Sequence, residues 1–168
     1  MKKSDIKLAI NLLKENQVVI IPTDTIYGIS ALASEENRVK INKIKKSDLS
    51  KPLITLVSSI KQIPESVKIS QELINILKSK EPTTVIIPLT NSKNTLAVRL
   101  VKKKYLKKII KKVGPIFSTS ANFSKNDYVE DKEIFESLGI KIEKVFYSKK
   151  LNNRPSTIIN FIDKSKKR

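Results

Sequence analysis

Apolar side chains recur at helical spacing near the start of the chain, at Ile6, Ala9, Ile10 and Leu13, with Ser4 placed to cap the helix. The pattern then changes period. Val18 to Ile21 is a short β-branched run ended by Pro22, which reads as a buried strand. A polar loop, TDTIYG, follows, and residues 35–46 return to a helical period through Val39, Ile41 and Ile44. Strands are predicted at 52–57, at 83–89 and 95–101 around a turn at Asn91–Asn94, at 115–121, and near 144–147 and 156–161. Helices are predicted at 71–80, over KYLKKIIKKVG with Gly114 and Pro115 as its stop, and near 131–138. The last six residues, DKSKKR, form a charged tail expected to fray.

Strands and helices alternate without an internal repeat or a flexible linker, so the pattern predicts one α/β domain, residues 1–162, with a mixed sheet, followed by the tail at 163–168. The chain has 168 residues, a length that favours one domain over two. The basic N-terminus lacks a continuous apolar core and a cleavage site, and no apolar run approaches the length of a bilayer span. A soluble cytoplasmic protein with no membrane partner is therefore expected.

Composition narrows the chemistry. The chain has no Cys and no His, which excludes disulfide frameworks, thiolate or imidazole zinc sites and imidazole general bases. With three Gly residues and no GxGxxG or GxxxxGK[ST], neither a Rossmann fingerprint nor a P-loop is present. The net charge of +18 has two readings. Lys accounts for 30 of the 34 cations, the composition of an AT-rich coding sequence, in which Lys rises everywhere. Alternatively, the charge serves an acidic partner, RNA or a nucleotide.

Five segments could carry chemistry. Pro22-Thr23-Asp24-Thr25-Ile26-Tyr27-Gly28 follows a buried strand and offers two hydroxyls, a carboxylate and a phenol, either to a small polar substrate or simply to cap an ordinary turn. Ser118-Thr119-Ser120-Ala121-Asn122 sits at the end of another strand, where small hydroxyls and an amide suit phosphate or carboxylate oxygens or form a helix entry capped by Asn; without a His, a Ser nucleophile has no ordinary base. Arg99 lies inside an apolar strand of a chain poor in Arg, and its fork fits an anionic ligand or a structural ion pair. Residues 45–52 form a basic loop that either grips phosphates or is simply solvated. The lysines of 102–112 cover a helix whose Leu106, Ile109, Ile110 and Val113 form one apolar stripe, the pattern of a surface helix packed on a sheet, with a membrane binder as the alternative.

In this order the segments resemble the YrdC/TsaC family of threonylcarbamoyl-AMP synthases, in its short single-domain form. The matching motifs are PTDTIYG (22–28), KKSDLSKPL (45–53), EPTTVII (81–87), AVR (97–99), STSAN (118–122) and PSTIINF (155–161). The resemblance implies an α/β fold, a YrdC-like twisted mixed β-sheet with flanking helices around a basic concave cavity. It implies nucleotidyl transfer: L-threonine, bicarbonate and ATP, with Mg2+ on the nucleotide, give threonylcarbamoyl-AMP and pyrophosphate for N6-threonylcarbamoyladenosine at tRNA position 37. Such a reaction needs positioning and charge neutralisation more than a nucleophilic side chain.

By matching position, Thr25, Tyr27, Arg99 and Ser156 are expected around threonine or its carbamate. Lys45, Ser120 and Asn122 are expected at the reacting centre, and the same three with Lys51 and Thr95 around ATP. A downstream threonylcarbamoyl transferase complex would receive the product. Three departures stand out. Ser47 replaces an Arg of the family pattern, Lys80-Glu81 replaces a Pro-Gly and brings a carboxylate towards an anion site, and the family's later Arg-Pro-Gly segment is missing, with Arg154 as a stand-in candidate. Two rival readings are a non-catalytic protein binding tRNA or double-stranded RNA on the same fold, and a relative that binds a different carbamoyl adenylate.

Overall fold

A nine-stranded mixed sheet organises the chain, in a computed structural model that describes residues 1–124, 126–139, 142–148, 151 and 154–167. The elements in order are α1 (Lys3–Lys14), β1 (Val19–Pro22), β2 (Tyr27–Leu32), α2 (Glu35–Ile44), β3 (Ile54–Val57) and a 3-10 turn at Ile60–Gln62. They continue with α3 (Gln71–Leu77), β4 (Thr83–Pro88), β5 (Thr95–Leu100), α4 (Lys104–Val113), β6 (Ile116–Ser120), α5 (Lys132–Ser137), β7 (Lys144–Val145), β8 (Thr157–Asn160) and β9 (Lys166–Lys167). The strand order is β7-β1-β2-β6-β3-β5-β4-β8-β9. The β1–β7, β3–β5 and β4–β8 pairs are parallel and the others antiparallel.

Register and the two-residue alternation of strands sort the sheet into two faces. Val19 and Ile21 of β1, Gly28 and Ser30 of β2, Ile116, Ser118 and Ser120 of β6, Ile54 and Leu56 of β3, and Ala97 and Arg99 of β5 share one face. At its apolar end α1 and α4 pack through Ala9, Leu13, Leu106, Ile109 and Ile110 onto Val19, Ile21, Leu56 and Ile116. The opposite face is covered by helices along much of its length. There α2 and α5 cover Ile20, Ile29 and Ala31, and α3 covers Val57, Val85 and Val98. The functional hollow is the part of the first face that α1 and α4 leave open, where side chains turn from aliphatic to hydroxyl.

Several expectations are adjusted. Ser4 lies inside α1; Lys2 is the N-cap, and its backbone N–H donates to the Asp5 carboxylate at 3.0 Å. The strand β2 was hidden in what reads as loop. Tyr27, Ile29 and Ala31 alternate with Gly28 and Ser30, a period-two signal muted because the second face is small and polar. The segment from residue 163, expected as a frayed tail, instead turns back so that Lys166–Lys167 pairs with Ile158–Ile159 of β8; Arg168 lies outside the described residues. Gly114 ends α4 with φ of 90°, a conformation that a side chain would strain.

Candidate active site

Two adjoining cavities open on the uncovered part of the sheet. The inner one, about 60 Å³, is walled by Thr23, Thr25, Arg99, Ser118, Ser120 and Ser156, among others. The outer one, about 290 Å³, is walled by Lys45, Lys51, Thr84, Ala97, Ser120 and Asn122, among others. They share Ile54, Thr119 and Ser120, so one hollow has a small hydroxyl-rich end and a roomier basic end. The larger pocket elsewhere, about 350 Å³ between Gln17 and Ile44, contains none of the predicted site residues.

The corner between β1 and β2 supplies the first hydroxyls. Thr23 Oγ1 donates to the Ile26 carbonyl at 2.6 Å and accepts the Thr25 backbone N–H at 3.1 Å. Its proton being used there, the 3.0 Å contact between the two threonine hydroxyls has Thr25 as donor. The Thr25 hydroxyl therefore turns lone pairs, not a proton, to the cavity. Gly28 follows because the chain passes too close for any side chain: a Cβ there would lie 2.2 Å from Ser118 Oγ. Ser118 Oγ in turn accepts a 3.0 Å bond from Ser30.

The corner is fastened to α4. Asp24 Oδ1 lies 3.3 Å from Arg99 Nη2, and Asp24 Oδ2 accepts the Lys102 backbone N–H at 3.2 Å. Tyr105 at the start of α4 donates to the Pro22 carbonyl at 2.7 Å, and burial pushes its phenol pKa up. Both alternatives weighed for Arg99 are realised: the guanidinium borders the cavity and is ion-paired. Asp24, read from sequence only as one polar group among several, is the residue that orients it; its signal was a lone carboxylate in a segment otherwise made of hydroxyls.

At the outer end Lys45 is buried, and its Nζ donates to the Ser120 carbonyl (2.6 Å), the Asn122 carbonyl (2.6 Å) and Asn122 Oδ1 (2.9 Å). Burial, with the nearby Lys51 cation, pushes its pKa down to about 8; the three oxygens hold the proton against that push. Ser120 Oγ donates to Asn122 Oδ1 at 2.6 Å, and Asn122 Nδ2 donates to the Asn126 carbonyl at 2.5 Å. Lys45, Ser120 and Asn122 thus form one latch that sets the outer wall. Lys45, which the sequence reading places at the reacting centre and ATP, lines the outer cavity and directs its N–H bonds to Ser120 and Asn122 of that wall.

The remaining predicted residues fall as follows. Ser156 is buried with its hydroxyl 2.9 Å from that of Thr84, a partner the sequence reading missed. Lys51 is exposed at the mouth of the outer cavity. Tyr27 borders the inner cavity, but its phenol accepts the Ser148 backbone N–H at 2.9 Å and its ring packs 5.0 Å from Phe135, so it braces the wall. Thr95 is exposed and lines neither cavity; it lies two residues out from Ala97 on the same strand face. Ser47 turns to the scaffold, donating to Asn42 Oδ1 at 3.0 Å, and Lys46 sits 5.0 Å over the Phe123 ring. Glu81 is exposed and outside both linings, as is Arg154. Among the described residues no three acidic side chains gather as a metal site, and no helix is long and apolar enough to cross a membrane.

Residues 11–168 match the Sua5/YciO/YrdC family model, described as telomere recombination. The chain is 31% identical over 132 residues to threonylcarbamoyl-AMP synthase of Pyrococcus abyssi, covering 71% of this chain and 39% of that protein. It is 30% identical over 144 residues to the synthase of Hydrogenovibrio crunogenus, covering 76% and 77%. The crystal structure of P. abyssi Sua5 complexed with L-threonine superposes with a TM-score of 0.77 at 26% identity, over 96% of this chain and 52% of that one. The shared fold, the motif-bearing walls and a family match over nearly the whole length lead to one assignment: the chain belongs to the Sua5/YciO/YrdC family.

Proposed function

We propose that the chain is a threonylcarbamoyl-AMP synthase, a cytoplasmic nucleotidyltransferase that prepares the activated group for N6-threonylcarbamoyladenosine in tRNA. The observation that carries the reading is the convergence of Thr25, Arg99, Ser120 and Ser156 on one small cavity that opens into a larger one bordered by Lys51. The inner end suits an amino acid. Arg99, held from behind by Asp24, meets the threonine carboxylate with a charge-assisted bond. Thr25 accepts an N–H from the substrate nitrogen, and Ser156 adds a second hydroxyl.

The threonine amine and bicarbonate condense to a carbamate with loss of water. A carbamate oxygen then attacks the α-phosphorus of ATP, and the bond from that phosphorus to the bridging oxygen breaks to release pyrophosphate. The protein's part is to hold the two reactants in line and keep bulk water off the acid anhydride. Ser120, fixed by Asn122 and Lys45, stands between the two cavities, where the reacting atoms would meet. Lys51 offers a point charge to the phosphates. A magnesium ion, held by the triphosphate's own oxygens rather than by a protein carboxylate cluster, would neutralise charge on the leaving group. A separate transferase complex would pass the product to tRNA.

The test is pyrophosphate release from ATP, magnesium and bicarbonate with and without L-threonine. Threonine-dependent release is expected. Release that ignores threonine, or none above the threonine-free control, rejects the synthase and leaves RNA binding without catalysis as the reading to pursue.

A further inference from the structure

Of the hydroxyls around the hollow, those of Thr23, Thr25 and Ser120 have already given their protons to acceptors of the protein. Thr84 and Ser156 differ. Thr84 is 1% exposed and Ser156 2%, and their oxygens lie 2.9 Å apart with either able to donate. The pair holds two protons and the bond between them uses one, so the other remains for whatever fills the hollow. A pair that only braced two strands would spend both on the protein. Register puts both side chains on the cavity face, since Ile86 pairs with Ala97 and Thr84 with Ile158, and Ser156 stands two residues before Ile158. Ser156 walls the inner cavity and Thr84 the outer one, so the pair crosses the partition between them. Its direction can be set from either side. When Thr84 donates to Ser156, Ser156 turns a proton inward. When Thr84 gives its proton to an acceptor in the outer cavity, Ser156 donates to Thr84 and turns only lone pairs inward.

We propose that Thr84 is a positioning residue for the amino acid: acting through Ser156, it makes the inner cavity favour a ligand hydroxyl that donates, and it does so when the outer cavity holds the nucleotide. The inference rests on the synthase reading, which puts an amino acid at the inner end and phosphates at the outer. Phosphate oxygens of ATP accept hydrogen bonds, so a filled outer cavity draws the Thr84 proton outward. Arg99 and Thr25 take the carboxylate and the nitrogen of threonine, which leaves its β-hydroxyl to meet Ser156. The bonds then run in one direction, from that hydroxyl to Ser156, to Thr84 and on to phosphate, and bonds aligned in this way strengthen one another. Two ligands that touch different walls are thereby coupled through a pair of side chains that need only reorient their protons.

The experiment titrates L-threonine and L-α-aminobutyrate, which lacks only the β-hydroxyl, into the wild type, Thr84→Val and Thr84→Ser by calorimetry. Each titration is run with and without an ATP analogue whose α–β bridge is a methylene group. Thr84→Val removes the hydroxyl at nearly constant size. It is expected to weaken threonine binding about threefold to tenfold with the analogue present and less than about twofold without it. Aminobutyrate binding should change by less than about twofold in either state, and Thr84→Ser should restore the wild-type pattern. By linkage, the coupling lost in Thr84→Val should be missing by the same factor from the analogue's affinity for the threonine-bound protein. Ser156→Ala should show the same loss confined to threonine, and it carries the test if Thr84→Val does not fold. Equal losses for threonine and aminobutyrate, or a loss that ignores the analogue, would reduce Thr84 to a brace between strands and overturn the proposal. A wild type that binds no threonine beside the analogue would instead reject the synthase reading and take this inference with it.

Discussion

Asp24→Asn keeps the size of the side chain and its ability to accept the Lys102 N–H, and removes the charge that faces Arg99 and, further off, Lys102 and Lys103. Asp24 is 7% exposed and Arg99 5%. At 3.3 Å, with an effective dielectric near 20, the attraction is about 5 kcal/mol. Desolvation of both groups offsets much of that, yet removing one partner of a buried pair costs about 3–5 kcal/mol, because the other charge stays buried. In a chain of this size the melting temperature should fall by roughly 10 °C. Arg99→Met should cost a similar amount for the mirror reason, so Arg99 cannot be probed by activity loss alone, as it could if it served only the ligand. The double variant, with neither charge, should be more stable than the sum of the two losses implies, by about 2 kcal/mol or more. Urea unfolding followed by circular dichroism on the four proteins completes the cycle. Calorimetric threonine binding should be absent in both variants lacking Arg99. Single losses below about 1 kcal/mol that simply add would mean the pair behaves as a solvated surface bridge, and the argument for a desolvated anchor would fail.

Two further outcomes follow from the walls of the hollow. Gly28→Ala forces Ser118 Oγ out of its bond with Ser30 and should cost about 1–3 kcal/mol in urea unfolding while raising KM for threonine; a neutral effect on both would show that the close approach is not needed. Lys45 has its pKa lowered from 10.5 to about 8, so between those values the unfolded chain binds more protons than the folded one and stability rises with pH. The unfolding free energy of the wild type minus that of Lys45→Met should therefore increase from pH 8 to pH 10.5 by about 2–3 kcal/mol, with turnover falling over the same range as the latch on Ser120 and Asn122 loses its ammonium. A flat difference would place the titration elsewhere.

What could be read from the chain, and what could not, divides along physical lines. The helices α2, α3 and α4 and the β4–β5 hairpin announced themselves because each turns one apolar face into the core, which imposes a period. The strand β2 did not, because one of its faces floors the cavity and carries Gly28 and Ser30 in place of branched aliphatics. Functional demand there overrode the propensity that makes strands legible. The site was legible as a set of motifs, yet the bonds that arm it were not. The Asp24–Arg99 pair, the Lys45 latch and the Thr84–Ser156 contact join residues 72 to 77 positions apart, and local pattern carries no information about such distances. Thr95 shows the converse: a motif neighbour of Arg99 that the strand carries past the edge of the hollow.

The fastening of the β1–β2 corner to α4 bears on how this scaffold could change its amino-acid preference. Remodelling that corner would strip Tyr105 and Lys102 of their partners and unseat a packed helix, so its backbone is closed to gradual variation. Room for a bulkier or smaller guest has to come from single-residue swaps across the hollow, on β6 or at Pro155 and Ser156, where a side chain can be exchanged without moving the frame.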